Sequence, residues 1–292
     1  MIPAPPDPQA PPPSLQQVVD AIEAMHPLEW AQPWDAVGLV AGDPTAPVRR
    51  IHFAVDPVEA VVEEAVAAGA DLLVTHHPLL LRPVNSVAAT TFKGRVLHRA
   101  IRAGLAIYVA HTNADAGAPG VSDALARVLD LDDLVPLDPL PGRPDLGIGR
   151  VGTLAAPERL ADFADRVAGA LPDTEQGVRV AGDLDAPVQR VAVCGGSGDS
   201  LFEQVRASGA DVYVTADLRH HPASEARERA VFAEQGRPFL VDVAHWASEW
   251  PWLAGCADRL VAALAADGRT VDAHVSTTRT DPWTLRVPSR GE

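Results

Sequence analysis

Cysteine is nearly absent from this sequence of 292 residues, which contains only Cys194 and Cys256. Two thiols cannot build a disulfide framework or a thiolate zinc site. Any metal ion in the protein would therefore have histidine and carboxylate ligands. We interpret Cys194 as a buried apolar thiol and not as a nucleophile, because no base lies near it in the sequence.

Basic residues are also scarce, and Lys93 is the only lysine of the chain. In total, 24 lysines and arginines stand against 39 aspartates and glutamates, so the formal charge is −15. Nucleic-acid binding depends on clustered basic side chains. The charge balance therefore argues against nucleic acid as a partner.

Long apolar runs are missing too, since none approaches the roughly 18–20 residues that a membrane-spanning helix needs. The first six residues include neither a basic region nor the apolar core of a signal peptide. The composition, 47% hydrophobic and 22% charged, is typical of a soluble globular protein. We therefore expect a cytoplasmic protein that has no membrane partner.

The organisation of the chain predicts an α/β fold. Seven prolines in residues 1–13 predict a disordered tail, after which Ser14 is suited to cap a helix. Short β-type runs then alternate with helical segments, as in strand 51–55, helix 57–68 and strand 71–75. Such alternation indicates parallel strand pairing.

An internal repeat divides the chain into two related parts. A shift of 140 residues aligns identical residues of segments 63–75 and 203–215, and a shift of 134 aligns 108–111 with 242–245. The period is too long for a solenoid. We predict two related α/β halves, residues 14–130 and 151–287, joined by a connecting segment rich in proline and glycine at 131–150.

Three clusters of potential metal ligands each follow a predicted strand: His76-His77, His111 with Asp115, and His245 with Glu249. The last two share a His-x-x-x-carboxylate spacing, which places both side chains on one side of a helical turn. In α/β sheets, ligands bind in the crevice at the carboxyl ends of the strands. We therefore predict a metal site in the crevice between the halves.

Several other polar residues lie outside these clusters. His26, His52, His98 and His274 have no such neighbours in the sequence, and we interpret them as structural or surface residues. Asp217, His220 and His221 follow a strand and are expected to line the substrate side of the pocket. The loop Cys194–Gly198 admits two interpretations, a phosphate cradle or a tight turn.

The donor types indicate which metals are possible. Imidazole and carboxylate ligands suit zinc, iron, manganese, cobalt or nickel, and the sequence does not choose among them. Five of these six donors already exceed what one catalytic zinc ion binds, which is three protein ligands. They fit two metal ions about 3.5–4 Å apart with a bridging carboxylate.

The chain resembles the NIF-three-like dinuclear-metal proteins, also called type 2 GTP cyclohydrolase I homologues. The resemblance extends from about residue 15 to 287 and is carried by several motifs in order: Pro33–Leu39, Thr75–Pro78, His111–Asp115, Gly147–Gly152, Cys194–Gly198, Thr215–Asp217, His245–Glu249 and Asp281–Trp283. In two places the chain departs from the family pattern. Ala36 replaces a usual asparagine, and Trp246 stands where many relatives have a smaller residue.

The resemblance implies a three-layer fold and a centre of two divalent metal ions per chain. Its ligands would be His76, His77, Asp115, His245 and Glu249. Glu249 would bridge, His77 and Asp115 would favour one metal, and His76 and His245 the other. The resemblance further implies that His111 orients the site through a hydrogen bond, and that the protein is a homohexamer with an internal cavity.

Two functions follow as hypotheses. The first is a metal-dependent hydrolase of the cyclohydrolase or phosphoesterase type that acts on a small polar or nucleotide-like substrate. In it, His111, His220 or His221 would transfer protons as a catalytic residue. The alternative is a metal-binding regulatory or scaffold protein that has no turnover.

Overall fold

A computed structural model describes residues 11–233 and 235–288. Two short 3₁₀ turns, Leu28–Trp30 and Asp199–Leu201, accompany the regular elements. In chain order these elements are α1 (Leu15–Met25), β1 (Gly38–Ala41), β2 (Arg50–Ala54), α2 (Glu59–Ala67), β3 (Leu72–Thr75), α3 (Phe92–Ala103), β4 (Ala106–Val109), α4 (Thr112–Ala116), α5 (Val121–Val128), β5 (Asp132–Leu140), β6 (Arg143–Arg159), α6 (Leu160–Ala170), β7 (Arg179–Ala181), β8 (Pro187–Ser197), α7 (Phe202–Ser208), β9 (Val212–Ala216), α8 (His220–Ala233), β10 (Phe239–Val243), α9 (His245–Glu249), α10 (Pro251–Ala266) and β11 (Asp272–Val275).

The chain forms two compact units that are not continuous in sequence. Unit 1 consists of Met1–Ala114 and Leu253–Thr280, and unit 2 of Asp115–Trp252 and Asp281–Glu292. The predicted second half therefore contributes most of α10 and all of β11 to unit 1. The reason is strand pairing, because β11 lies in the sheet of unit 1, parallel to β2.

Unit 1 is built on a five-stranded sheet in the order β1-β4-β3-β2-β11. Strands β2, β3, β4 and β11 run parallel, and β1 pairs antiparallel with β4. Every residue of β3 and β4 is buried, as expected for central parallel strands covered on both faces. Helices α2 and α3 pack on the sheet through Val61, Val62, Val96 and Leu97.

Unit 2 is built on a six-stranded sheet in the order β5-β6-β8-β9-β10-β7. Strands β8, β9 and β10 run parallel, while β5, β6 and β7 join by antiparallel pairing. Its core contains side chains from β8, β9 and α7, among them Ala192, Tyr213 and Val205.

The two sheets repeat the same order of strands, which confirms the predicted fold of two related α/β halves. The series β1-β4-β3-β2 in unit 1 corresponds to β7-β10-β9-β8 in unit 2. The repeat extends to side chains. The carboxylate of Asp71 accepts hydrogen bonds from two backbone N–H groups at the start of β2, and Asp211 does the same for two N–H groups within β8.

The beginning of the described chain confirms the predicted helix cap. The Ser14 hydroxyl accepts a hydrogen bond from the Gln17 backbone N–H, and the Ser14 N–H donates to the Gln17 side chain, which together make a capping box. Of the predicted tail 1–13, residues 1–10 lie outside the described residues. Pro13 is buried, and its carbonyl accepts from the Val48 N–H.

Residues 131–150, predicted as a connecting segment, form β5 and the first part of β6 instead. The two strands make an antiparallel hairpin, and β5 is the edge strand of its sheet. An edge strand tolerates prolines such as Pro136 and Pro139, because only one side of it must supply hydrogen bonds to the sheet. Proline and glycine content alone therefore did not distinguish this hairpin from a loop.

No helix in the described part of the chain is long and apolar enough to cross a membrane.

Arg150 on β6 is a buried cation in unit 2, with 2% of its side chain exposed. Its guanidinium pairs with Asp123, with a shortest N–O distance of 2.7 Å. It also donates to the carbonyls of Gly117, Gly147 and Gly149. One side chain thus joins β6 to α5 and to the segment that precedes α5.

We expect Arg150→Met to lower the free energy of unfolding by about 3–5 kcal/mol, because it leaves the Asp123 carboxylate buried without its partner. Denaturant unfolding would measure the change. The control is Arg143→Met on the same strand, where the pair with Asp145 is exposed and the expected loss is below about 1 kcal/mol. Equal losses in the two variants would contradict this role of Arg150.

Candidate metal centre

In unit 1, the first donor pair directly follows β3. The N–H groups of His76 and His77 donate to the carbonyls of Ala54 and Val55, at 3.1 and 2.8 Å, and so extend the pairing with the neighbouring strand. His76 is buried and His77 is half-buried. The backbone therefore holds both histidines at the carboxyl edge of the sheet, where the sequence predicts them.

Hydrogen bonds at Nδ1 orient both imidazoles. His76 Nδ1 lies 2.9 Å from the Ala110 carbonyl, and His77 Nδ1 lies 2.7 Å from the Asp56 carboxylate. Since both partners are acceptors, Nδ1 carries the proton and Nε2 carries the lone pair of the neutral ring. This is the arrangement typical of histidines that bind metals through Nε2.

His111 follows β4 and is oriented in the same way. Its Nδ1–H donates to Asp35 at 2.8 Å, and Asp35 also accepts from the backbone and hydroxyl of Thr112. Burial acts to raise the pKa of Asp35, but the hydrogen bonds from His111 and Thr112 outweigh it and hold the pKa well below its usual range. Asp35 is therefore an anion that fixes the His111 ring.

These three histidines form one group of donors within unit 1. One ring nitrogen of each of His76, His77 and His111 lies within 4.8 Å of the others. The ring centroids are 5.1 to 5.5 Å apart. Three imidazoles at such distances, buried or half-buried, are suited to hold a transition metal.

In unit 2, the corresponding donors lie on α9, which follows β10. His245 and Glu249 stand four residues apart, and His245 Nε2 lies 2.9 Å from Glu249 Oε1. His245 Nδ1 donates to Asp217 at 2.6 Å. Asp217 has a left-handed backbone with φ of 55°, a conformation that aspartate tolerates better than most residues. His245 and Asp217 thus form an imidazole–carboxylate pair of the same kind as His77 with Asp56 and His111 with Asp35.

Asp115, the remaining predicted ligand, is the fourth residue of α4 and is half-buried. Burial raises the pKa of the Cys194 thiol to about 12, and the negative charges of Asp115 and Glu249 add to this rise. Both carboxylates are therefore close enough to Cys194 in unit 2 to influence the ionisation of its thiol. The high pKa agrees with the interpretation of Cys194 as an unreactive thiol.

The glycine-containing end of β8, after Cys194, lies against the α9 donors. Gly196 has φ of +70°, and a Cβ placed there would lie 2.5 Å from Glu249 Oε1 and 3.1 Å from His245 Nε2. The N–H groups of Gly195 and Gly196 donate to the hydroxyls of Ser122 and Ser248. Since two of its N–H groups bond within the protein, this end of β8 is better described as a close backbone approach than as a phosphate cradle.

The other predicted catalytic residues lie elsewhere in unit 2. His220 and His221 are exposed at the start of α8, and His221 lines a cleft of about 530 Å³ together with Asp199 and Arg206. Among the described residues, neither belongs to a group of donors that could hold a metal. Their catalytic role stays a prediction.

Sequence reasoning gave no role to Asp35 and Asp56, which orient His111 and His77, and it assigned Asp217 to the substrate side only. One signal was available, since Asp56 and Asp217 each come one or two residues after a strand, as the predicted ligands do. Pairing each carboxylate with its histidine required the fold, because the partners are 21 to 76 residues apart.

Comparisons with known proteins agree with this fold. A family model described as Duf34/NIF3 (NGG1p interacting factor 3) matches residues 13–282. A Streptomyces coelicolor protein named GTP cyclohydrolase 1 type 2 homolog is 54% identical, over 95% of this chain and 96% of that protein. A Mycobacterium tuberculosis protein of the same name is 36% identical, over 93% of this chain and 97% of the relative.

A solved structure extends the comparison to three dimensions. The Bacillus cereus protein related to NIF3 superposes with a TM-score of 0.84 at 25% identity, over 94% of this chain and 99% of that one. The resemblance inferred from the motifs is thereby confirmed over nearly the whole length of the sequence. The chain belongs to the DUF34/NIF3 family.

Proposed function

We propose that the protein binds two divalent metal ions and acts as a metal-dependent hydrolase on a small, nucleotide-like substrate. The ligands are His76, His77, Asp115, His245 and Glu249. The observation that carries the proposal is the orientation of the imidazoles, each of which has its Nδ1–H bonded to a carboxylate or a carbonyl. Such partners stabilise a histidine as a metal ligand.

The donor set fits such a centre chemically. Neutral imidazoles and carboxylates are the protonation states that bind metals at neutral pH. They suit zinc, iron, manganese, cobalt or nickel, and we propose no choice among these. His111 shows the same Nδ1-to-carboxylate pairing as His77, which supports its predicted role in orienting the site and leaves Nε2 for its predicted role in proton transfer.

When bound, two such metal ions supply Lewis acidity and lower the pKa of a coordinated water. The chain's own contribution is to fix the ligands before any metal arrives. Asp56, Asp35 and Asp217 hold three rings in one tautomer, and the Gly196 backbone leaves room beside Glu249. Proton transfer by His220 or His221 is part of the proposal.

Substrate class follows from the relatives, which are named GTP cyclohydrolase 1 type 2 homolog. A cyclohydrolase would open the imidazole ring of guanine by hydrolysis, and a phosphoesterase would cleave a phosphate ester. The homohexamer and the cytoplasmic location implied by the sequence stay predictions.

A second candidate is a metal-binding scaffold without turnover. The specific observation in its favour is the family description, which names an interacting factor.

Metal analysis tests the dinuclear centre directly. We expect the double variant His77→Ala, Glu249→Ala to bind about two metal equivalents fewer than the unmodified protein after metal loading and desalting, because it removes one ligand from unit 1 and one from unit 2. Elemental analysis per chain is the measurement.

The control for this loss is His98→Ala, which removes an exposed histidine on α3 and should leave the metal content unchanged. One metal equivalent or none in the metal-loaded, unmodified protein would contradict the dinuclear centre.

The room beside Glu249 gives a second prediction. We expect Gly196→Ala to weaken metal binding at least about tenfold, since its Cβ would displace Glu249 and His245 and ligand positioning changes affinity by about 10–100-fold. Metal affinity is measured by competition with a chelator of known affinity.

Gly209→Ala is the matched control, because Gly209 has nearly the same φ, +68°, but nothing lies within 4 Å of its Cβ position. Both variants acquire the same backbone strain, about 1 kcal/mol. If the two variants bind metal with the same affinity, the close approach of Gly196 to Glu249 and His245 does not affect metal binding, and the prediction is wrong.

Turnover separates the hydrolase from the scaffold. We expect the metal-loaded protein to hydrolyse either GTP or a phosphate ester. Hydrolysis of GTP is monitored by the loss of purine absorbance, and hydrolysis of the ester by the release of the alcohol. The double variant His77→Ala, Glu249→Ala should be inactive with the same substrate. Full metal loading with no hydrolysis in either class would favour the scaffold.

A further inference from the structure

A second group of metal-binding side chains lies in unit 1 on different residues: His52 of β2, Glu64 of α2 and His274 of β11. Parallel pairing of β11 with β2 sets His274 opposite His52. The ring centroids are 4.9 Å apart. From the sequence, both histidines are interpreted as structural or surface residues, and 222 positions separate them. Only strand pairing brings them together.

The donor atoms of this group are nearly at the distances of a metal site. His52 Nε2 lies 3.5 Å from Glu64 Oε2, and His274 Nε2 lies 3.8 Å from Glu64 Oε1. One donor atom of each residue lies within 4.8 Å of the other two. Metal–ligand bonds of about 2.0–2.1 Å in a tetrahedron place donor atoms about 3.3 Å apart. The two measured separations exceed this distance by about 0.2 and 0.5 Å, which small shifts of the side chains would close when an ion binds.

His52 supplies the second observation. Its side chain is 0% exposed, and neither ring nitrogen makes a hydrogen bond of normal geometry to another described residue. A buried polar atom without a partner is unfavourable by about 1–3 kcal/mol. The Nε2 atom faces Glu64, so an ion between the two side chains would satisfy it.

The protonation states suit a metal as well. Burial lowers the pKa of His52, so the ring is neutral at neutral pH. Burial acts to raise the pKa of Glu64, but hydrogen bonds from Ser276 at 2.6 Å and Thr278 at 2.9 Å outweigh it, so the pKa is lowered. The two hydroxyls also hold the carboxylate in place, as outer partners of metal ligands do.

We propose that His52, Glu64 and His274 bind one divalent transition-metal ion, with a remaining position open to solvent. Two imidazoles and a carboxylate favour zinc, cobalt, nickel or copper over magnesium or calcium. The open position lies on the side of His274, whose side chain is 55% exposed and borders a cleft of about 340 Å³ with Arg50 and Asp272. The site shares no residue with the proposed dinuclear centre.

A zinc titration of metal-free full-length protein tests the site. We expect His274→Ala to bind one zinc equivalent fewer than the unmodified protein, and His98→Ala, the exposed control on α3, to bind the same number. Glu64→Gln keeps the shape of the side chain but removes its charge, and it should lose the same equivalent. Circular dichroism verifies that each variant is folded.

The background variant His77→Ala, Glu249→Ala separates this site from the dinuclear centre. In that background one zinc equivalent should remain, and the addition of His274→Ala should remove it. Substitution with Co²⁺ should give visible absorption bands that His274→Ala abolishes. Equal zinc content with and without His274→Ala would overturn the proposal, whatever happens at the dinuclear centre.

Discussion

In both units the central parallel strands are covered on both faces, and this burial decides where polar chemistry occurs. Strands β3 and β9 have no exposed residue, and their backbone groups bond to strands on either side. A charged side chain within such a strand would lie in apolar surroundings without water. The proposed ligands of the dinuclear centre therefore come at the carboxyl ends, in the residues that follow each strand.

Orientation of the imidazoles depends on a second layer of hydrogen bonds. Each of His77, His111 and His245 donates its Nδ1–H to an aspartate from another part of the chain. These anions leave little freedom for the rings, so the donors are arranged before a ligand binds. At the proposed site of His52, hydrogen bonds orient the carboxylate and not the imidazole. Two hydroxyls donate to Glu64, while packing in the buried core holds the His52 ring.

Much of the fold could be predicted from the sequence because its signals are local or repeated. The Ser14 cap depends on residues three positions apart, and the shift of 140 residues aligns β3 with β9 directly. The same reasoning failed for residues 131–150, where prolines resemble those of a loop. In the structure these prolines are tolerated because β5 lies at the edge of its sheet.

By itself, the sequence determined the α/β class, the internal repeat and the donor types available after each strand, because these follow from composition, periodicity and spacing along the chain. Only the tertiary structure decided which aspartate orients which histidine, that β11 joins the sheet of unit 1, and that His52 and His274 stand side by side. Strand pairing and side-chain contacts bring together residues that are far apart in sequence. No local pattern encodes such pairs.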